Sequence, residues 1–417
     1  MVRSLDAQAT PRPLAPGVAL RATVALIVVR AAYAYNWFDV GPALPQIGST
    51  FGVGPAEWGL LVAAFLVSAG LFQVPAGFLS RRYGSRAVSL IGAGILAVGA
   101  AAAGAAPSFA VLLALRLVAG VGAALFFSPA IGLVASLYPR GHQGVPVGVF
   151  SSAFSLGSAA GIVVTALILP ALGWQLSLVA GGVILGVPTL VCVFAVPPSV
   201  GAAPPRPSSP RSRLPAALRY PGVWAVGIAF IGLEGATSAT AQFIVPWGES
   251  VQGWSIALAG VVGMMFVLPS FAGGPIGGRV AERYRNHRTQ FLVATVIGAL
   301  ALATLPWAGL AGAILVGVVF SLAYGVIYAV MYVLPHYWRE VPPEEIPLAI
   351  GLLNSIQLAG GAGVSAAFGA IVAAANYSVA WEVLVAVTLA TLVALVFLPA
   401  TPADAAGPLL AAEPAPR

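Results

Sequence analysis

The sequence predicts an all-α polytopic membrane protein, with twelve transmembrane helices in two six-helix halves related by a pseudo-two-fold axis. Three observations lead there. Hydrophobic residues make up 59% of the chain and charged residues only 7%, against about a quarter charged in an ordinary soluble domain. The apolar runs are about twenty residues long, the length of a helical crossing rather than of a ten-residue barrel strand. Finally, one half is written twice: Pro45 and Pro246, Gly77 and Gly278, Arg82 and Arg283, and Tyr83 and Tyr284 all share one offset.

Taken in order, the apolar runs and their breaks place six spans at about 20–44, 57–79, 87–105, 108–136, 145–170 and 173–195. Six more follow at about 222–245, 255–278, 290–308, 311–335, 346–374 and 379–399. The expected organisation is an N-terminal tail (1–19), a first half (20–196), a linker (197–221), a second half (222–400) and a C-terminal tail (401–417). The linker is rich in Pro, Ser and Ala and carries Arg206, Arg211, Arg213 and Arg219, without helical or strand periodicity. A second echo joins the fifth span of each half, where Gly148-Val149-Phe150-Ser151-Ser152 resembles Gly351-Leu352-Leu353-Asn354-Ser355.

The arginines orient the chain. Arg3, Arg12, Arg21, Arg81, Arg82, Arg86, Arg140, the linker set, the group from Arg279 to Arg288, Arg339 and Arg417 fall on one side, and the loops expected on the other side contain none. Positive charge is retained on the cytoplasmic side, so both termini are expected inside, in the cytoplasmic membrane. The same rule accounts for the net charge of +7, and no nucleic-acid partner is expected. Cys192 is the single cysteine, so an intrachain disulfide is excluded. There is no Walker-type Gly-Lys-Ser/Thr, and three scattered histidines with one cysteine make no zinc site. No cofactor, no metal and no enzyme chemistry are expected.

The repeated twelve-span frame resembles the major facilitator superfamily, over essentially the whole chain. Gly77 to Arg86 is similar to the family's Gly-x-Leu-Ala-Asp-Arg-x-Gly-Arg-Arg loop between helices 2 and 3, with a degenerate copy at Gly278 to Arg288. Arg116-Leu117-Val118-Ala119-Gly120-Val121-Gly122-Ala123-Ala124 matches the fourth-helix Arg-x-x-x-Gly-x-Gly-x-Ala pattern, and Leu172-Gly173-Trp174 resembles the family's turn between helices 5 and 6. Two departures stand out. The family's loop acid is Arg81 here, whereas the second copy keeps Glu282. The fifth span reads Gly157-Ser158-Ala159-Ala160-Gly161, without the Gly-Pro pair of many proton-driven exporters. In the family the loop acid lies near the start of the eleventh helix and helps close the inner face. The eleventh span here begins with Glu344 and Glu345, so the resemblance implies a gate with its charges exchanged. Arg81 would meet Glu344 or Glu345 in the outward-open state, with Gly77, Arg82, Gly84, Glu282 and Arg283 completing the two loop copies.

Ionisable groups inside spans cost several kcal/mol and mark function by default. Four qualify: Arg30 and Asp39 in the first span, Arg116 in the fourth and Glu234 in the seventh. Arg30 and Asp39 are about 13 Å apart along one helix and cannot pair there. Asp39 and Arg116 lie at comparable depth, so a pair between them is expected, either as a structural neutralisation or as a protonation switch that frees Arg116 for solute. Arg30 offers a planar fork suited to a carboxylate or other oxyanion, unless it snorkels to the interface. Glu234 is suited to carry a coupling proton, or to sit neutral between helices.

Polar and aromatic side chains extend these faces at helical spacing: Tyr33 and Trp37 with Arg30; Ser238 and Gln242 with Glu234; Tyr324, Tyr328 and Tyr332 in the tenth span; Asn354 and Gln357 in the eleventh. A tyrosine facing lipid at mid-depth leaves its hydroxyl unsatisfied, so cavity lining is expected of Tyr328. The Gly- and Ala-rich strings of spans four, five and eleven need no ligand, because small residues let helices approach and slide. Parallel repeats of this kind place the solute site near the midplane between the halves. The reading is a monomeric secondary transporter in the lipid bilayer, moving a small organic or inorganic anion with protons as the coupling ion. Arg30, Tyr33, Trp37, Arg116, Ser238, Tyr328, Asn354 and Gln357 are its expected solute contacts, and Asp39 and Glu234 its proton carriers. The rivals are a proton-driven exporter of amphipathic organic cations or drugs, held by Asp39 and Glu234, and a non-transporting membrane sensor on the same scaffold.

Overall fold

The computed structural model describes residues 15–139, 142–202, 218–284, 286–338, 341–342 and 345–398. Of Pro16, Glu282, Val333, His336, Tyr337 and Pro347 only the backbone is described. Nearly all of both tails, most of the 197–221 linker and Glu344 lie outside these residues.

Prolines set the breaks of the first two spans, because each removes one helical N–H donor. The first span is α1 (Pro16–Phe38) followed by α2 (Val40–Phe51), broken at Asp39. Pro42 cannot donate to the carbonyl of Phe38, which frees the turn there. The second is α3 (Pro55–Leu71) followed by α4 (Gln73–Tyr83), bent by 45°, where Pro75 has no N–H for the carbonyl of Leu71. Glu57 begins α3 by accepting from the Gly54 amide at 2.9 Å. Gly84, at φ 87°, turns the chain from α4 into α5 (Ser85–Ala103), a conformation that side chains other than glycine rarely adopt. Next comes α6 (Phe109–Ser136), whose first turn is capped by Ser108.

The 52-residue α7 (Gly144–Ala195) would measure about 78 Å if straight, more than twice the hydrocarbon thickness. It is two crossings folded at Gly173, where φ is 71°. Gln46 accepts from the amide of Trp174 at 3.1 Å, and the Trp174 indole donates to Thr50 at 2.9 Å. The second half runs through α8 (Pro221–Ser250), α9 (Ile256–Met265), α10 (Ser270–Arg283), α11 (His287–Ala303), α12 (Leu310–Val333), α13 (Ile346–Ala374) and α14 (Tyr377–Thr391). Among the described residues ten helical stretches are long and apolar enough to span, and the bent α3/α4 pair is an eleventh. With α7 crossing twice, the chain makes twelve crossings in two halves.

The ends of α4 and α10 and the starts of α5 and α11 carry Arg81, Arg82, Arg86, Arg279, Arg283 and Arg288, and define an arginine face. At the opposite face the halves touch almost backbone to backbone. A Cβ on Gly59 would lie 2.9 Å from the carbonyl of Ser365, and one on Gly369 would strike the carbonyl of Pro55. Farther in, Gly70 abuts Ala359. Gly260 rests on Ala166 and Gly263 on Ile162, which repeats the α3/α13 contact as α9/α7. Gln242 of α8 donates to the carbonyl of Trp37 at 2.7 Å. Toward the arginine face this closeness ends: Gly77, Gly274 and Gly278 look onto open space. The conformer is therefore sealed at the arginine-free face.

A wedge at the seal tests it. Gly369→Val forces an overpacking of about 1–3 kcal/mol on the sealed state alone. In a Cys192→Ala background, Ser365→Cys should react faster with a membrane-impermeant maleimide when the wedge is present. Unchanged labelling would mean that these glycines do not hold the face shut.

Candidate functional site

Between the halves lies a cavity lined by residues of both. Arg30 reaches it from α1 and is 3% exposed. Its guanidinium carbon lies 4.6 Å from the centre of the Phe127 ring, 4.7 Å from Phe154 and 4.8 Å from Tyr33. Ring faces attract a cation, but they accept no in-plane N–H bond, and Nε and Nη1 have no hydrogen-bond partner. Arg30 forms no ion pair within the described residues. Trp37, two turns on, packs edge to face against Phe65 and Phe154 and also lines the space.

The second half supplies the facing wall. Glu234 of α8 is 6% exposed, and its Oε2 accepts from the Tyr324 hydroxyl at 2.9 Å. On α12, Tyr324 stacks on Tyr328 at 5.6 Å between ring centres. On α13, Asn354 Oδ1 accepts from the Tyr332 hydroxyl and from Gln357 Nε2, each at 2.6 Å. The hydroxyls of Tyr328 and Tyr332 meet at 3.0 Å. This network fixes the amides and tyrosines before any solute arrives, which lowers the ordering cost of binding.

Asp39 and Arg116 pair elsewhere. Their nearest charged atoms are 4.0 Å apart, at exposures of 0% and 2%, and Arg116 Nη1 also donates to the carbonyl of Asn36 at 3.3 Å. Phe65 covers the Arg116 guanidinium at 4.5 Å. A Cβ on Gly181 would lie 2.6 Å from Asp39 Oδ2, so this pair is packed against the sixth span and is absent from the cavity wall.

Arg30, Tyr33, Trp37, Glu234, Tyr328, Asn354 and Gln357 thus share one cavity. Ser238 is buried outside its wall, where Thr237 stands instead. Of the gate residues, Arg81, Arg82 and Arg283 are exposed on the arginine face, and Arg82 and Arg283 each lie over the tyrosine that follows. Gly77 borders open space, and Gly84 forms the α4–α5 turn. Arg81 lies over Phe78 at 5.1 Å, while Glu345 accepts from the Tyr220 hydroxyl at 2.6 Å. The Arg81 gate is expected of the other conformer, in which the arginine face is closed. The Glu282 side chain and Glu344 lie outside the described residues.

Sequence reasoning passed over Gln73, Phe127, Phe154, Ser155 and Ser270, which also line the cavity. Gln73 carried a signal, as an amide inside an apolar run; its Oε1 accepts from Ser128 at 2.8 Å. Ser155 and Ser270 bond to each other across the two halves at 2.8 Å. Phe127 and Phe154 carried none, since a phenylalanine facing a cavity reads like one facing lipid.

Twelve crossings in two repeated halves, around a charged cavity closed from one face, are the architecture of the membrane-transporter folds built from parallel repeats. Residues 26–339 match the Major Facilitator Superfamily, and the chain belongs to that family. The probable nitrate/nitrite antiporter NarK1 of Thermus thermophilus is 26% identical over 61% of this chain and 59% of its own length. The chloramphenicol resistance protein of Streptomyces lividans is 28% identical over 62% of this chain and 66% of its own. The multidrug resistance protein Stp of Mycobacterium tuberculosis is 31% identical, but over only 33% of this chain and 26% of its own length. In each case the match spans less than two thirds of the relative. Among solved structures, a D-xylose-proton symporter superposes with a TM-score of 0.74 at 15% identity, covering 92% of this chain and 98% of that one. A bacterial homologue of the human lysosomal transporter Spinster, inward-facing and occupied, gives 0.68 at 19% identity, covering 90% and 93%.

Proposed function

We propose that this transporter moves a small organic or inorganic anion, coupled to protons through Asp39, Glu234 or both. The observation that carries the reading is Arg30: a buried guanidinium on the cavity, ringed by aromatic faces and lacking an acid among the described residues. An unpaired buried cation is costly, and an oxyanion from solution is the partner that would repay it with charge-assisted hydrogen bonds. The nitrate/nitrite antiporter among the relatives fits an anionic solute. Arginine placement supports a cytoplasmic-membrane protein with both termini inside, and with that orientation the conformer described above is inward-facing.

The competing reading is export of amphipathic cations or drugs. Glu234 beside Tyr324 and Tyr328 favours it, as does the chloramphenicol resistance relative. Counterflow in proteoliposomes separates the two. Nitrate, acetate and lactate, each with its own counterflow partner, should include at least one that exchanges. Efflux of a lipophilic cation with no exchange of any anion would decide for the exporter.

A further inference from the structure

The anion reading accounts for Arg30 and leaves Glu234 without a role in holding solute. Both side chains line the same cavity, from α1 and α8, the equivalent first helices of the two halves. Each is at least nine-tenths buried, and no ion pair joins them. Tyr324 occupies Oε2 of Glu234, and among the described residues no donor bonds Oε1. The cavity wall therefore carries one cation and one carboxyl group, separated, and neither neutralises the other. Rings fill the intervening wall: Tyr33 and Phe154 beside Arg30, Tyr324 and Tyr328 beside Glu234.

We propose that the solute is a small zwitterion, its oxyanion end on Arg30 and its ammonium end on Glu234. This rests on the anion reading and narrows it. A simple anion would match Arg30 and leave the carboxylate of Glu234 bare in the same low-dielectric space, and a simple cation would do the reverse. A molecule carrying both groups neutralises both walls at once. It also ties the two halves together, since Arg30 belongs to one and Glu234 to the other. An ionised Glu234 engaged by the ammonium cannot also carry a proton, so the coupling proton then falls to Asp39.

Two matched probe sets test this: propionate, ethylamine and alanine, and 3-phenylpropionate, 2-phenylethylamine and phenylalanine. Thermal stabilisation and counterflow are read with the purified full chain. The zwitterion of at least one set should exceed both its anion and its cation by at least about tenfold in apparent affinity, because a site built for two polar groups rejects the analogue lacking one. Glu234→Gln should bring the zwitterion-to-anion ratio close to one. An anion that matches its zwitterion sinks this inference and leaves the anion reading intact. No response to any of the six overturns this inference, and the anion reading falls with it only if nitrate, acetate and lactate also fail to exchange. The ranking in the unaltered protein decides even where Glu234→Gln does not fold.

Discussion

Arg30→Ala is expected to slow anion counterflow about 10- to 150-fold, the loss of charge-assisted hydrogen bonds worth about 1.5–3 kcal/mol. Arg30→Lys should fall between, because an ammonium restores the charge without the planar fork. Stability supplies the more discriminating readout. Arg30 has no acid among the described residues, so Arg30→Met removes an uncompensated buried charge and leaves an isostere among Phe127, Phe154 and Tyr33. The unliganded variant should melt no lower than the parent, and anion should no longer raise its melting temperature. A guanidinium held for architecture would behave oppositely. A variant that melts lower and still responds to anion would remove Arg30 from the binding site.

The architecture was legible because lipid leaves few solutions. An apolar run of about twenty residues must become a helix, and Pro45 with Pro246 or Gly77 with Gly278 mark the repeat at one offset. The cavity was legible where a polar group breaks an apolar run. Arg30, Glu234, Asn354 and Gln357 are costly in lipid, and all four line the space between the halves. Rotation about a helix axis was harder. On α8 the spacing from Glu234 selects both the third and the fourth residue along; Thr237 lines the cavity and Ser238 lies outside it. Depth alone pairs Asp39 with Arg116, but depth says nothing of the direction in which the pair faces. Gly181 and Phe65 enclose it, and neither contact has a signature in the chain. Nor do Phe127 and Phe154 in the cage round Arg30, which read as ordinary membrane-helix filling.

The enclosed pair leads to the second large effect. Asp39 stands at the N-terminus of α2, where the helix places partial positive charge beside its carboxylate. Arg116 adds a full charge at 4.0 Å. Arg116→Ala strips away the stronger partner and leaves an acid sealed against the sixth span, so a loss of about 3–5 kcal/mol is expected. Asp39→Asn/Arg116→Gln should recover part of that loss, since neither side chain then carries an unmatched charge. A double variant as unstable as the sum of the two singles would mean that the charges do not interact. Transport separates scaffold from switch. If protonation of Asp39 frees Arg116 during the cycle, Asp39→Asn fixes the released state: solute counterflow should continue while accumulation driven by an imposed proton gradient is lost. If the pair only holds α2 in place, counterflow and gradient-driven uptake should fall together. The α2 break at Asp39 favours the first outcome, because a carboxyl at a helix end moves with that end. Here it would move α2 against α8, where a Cβ on Gly41 would lie 2.9 Å from the carbonyl of Gln242.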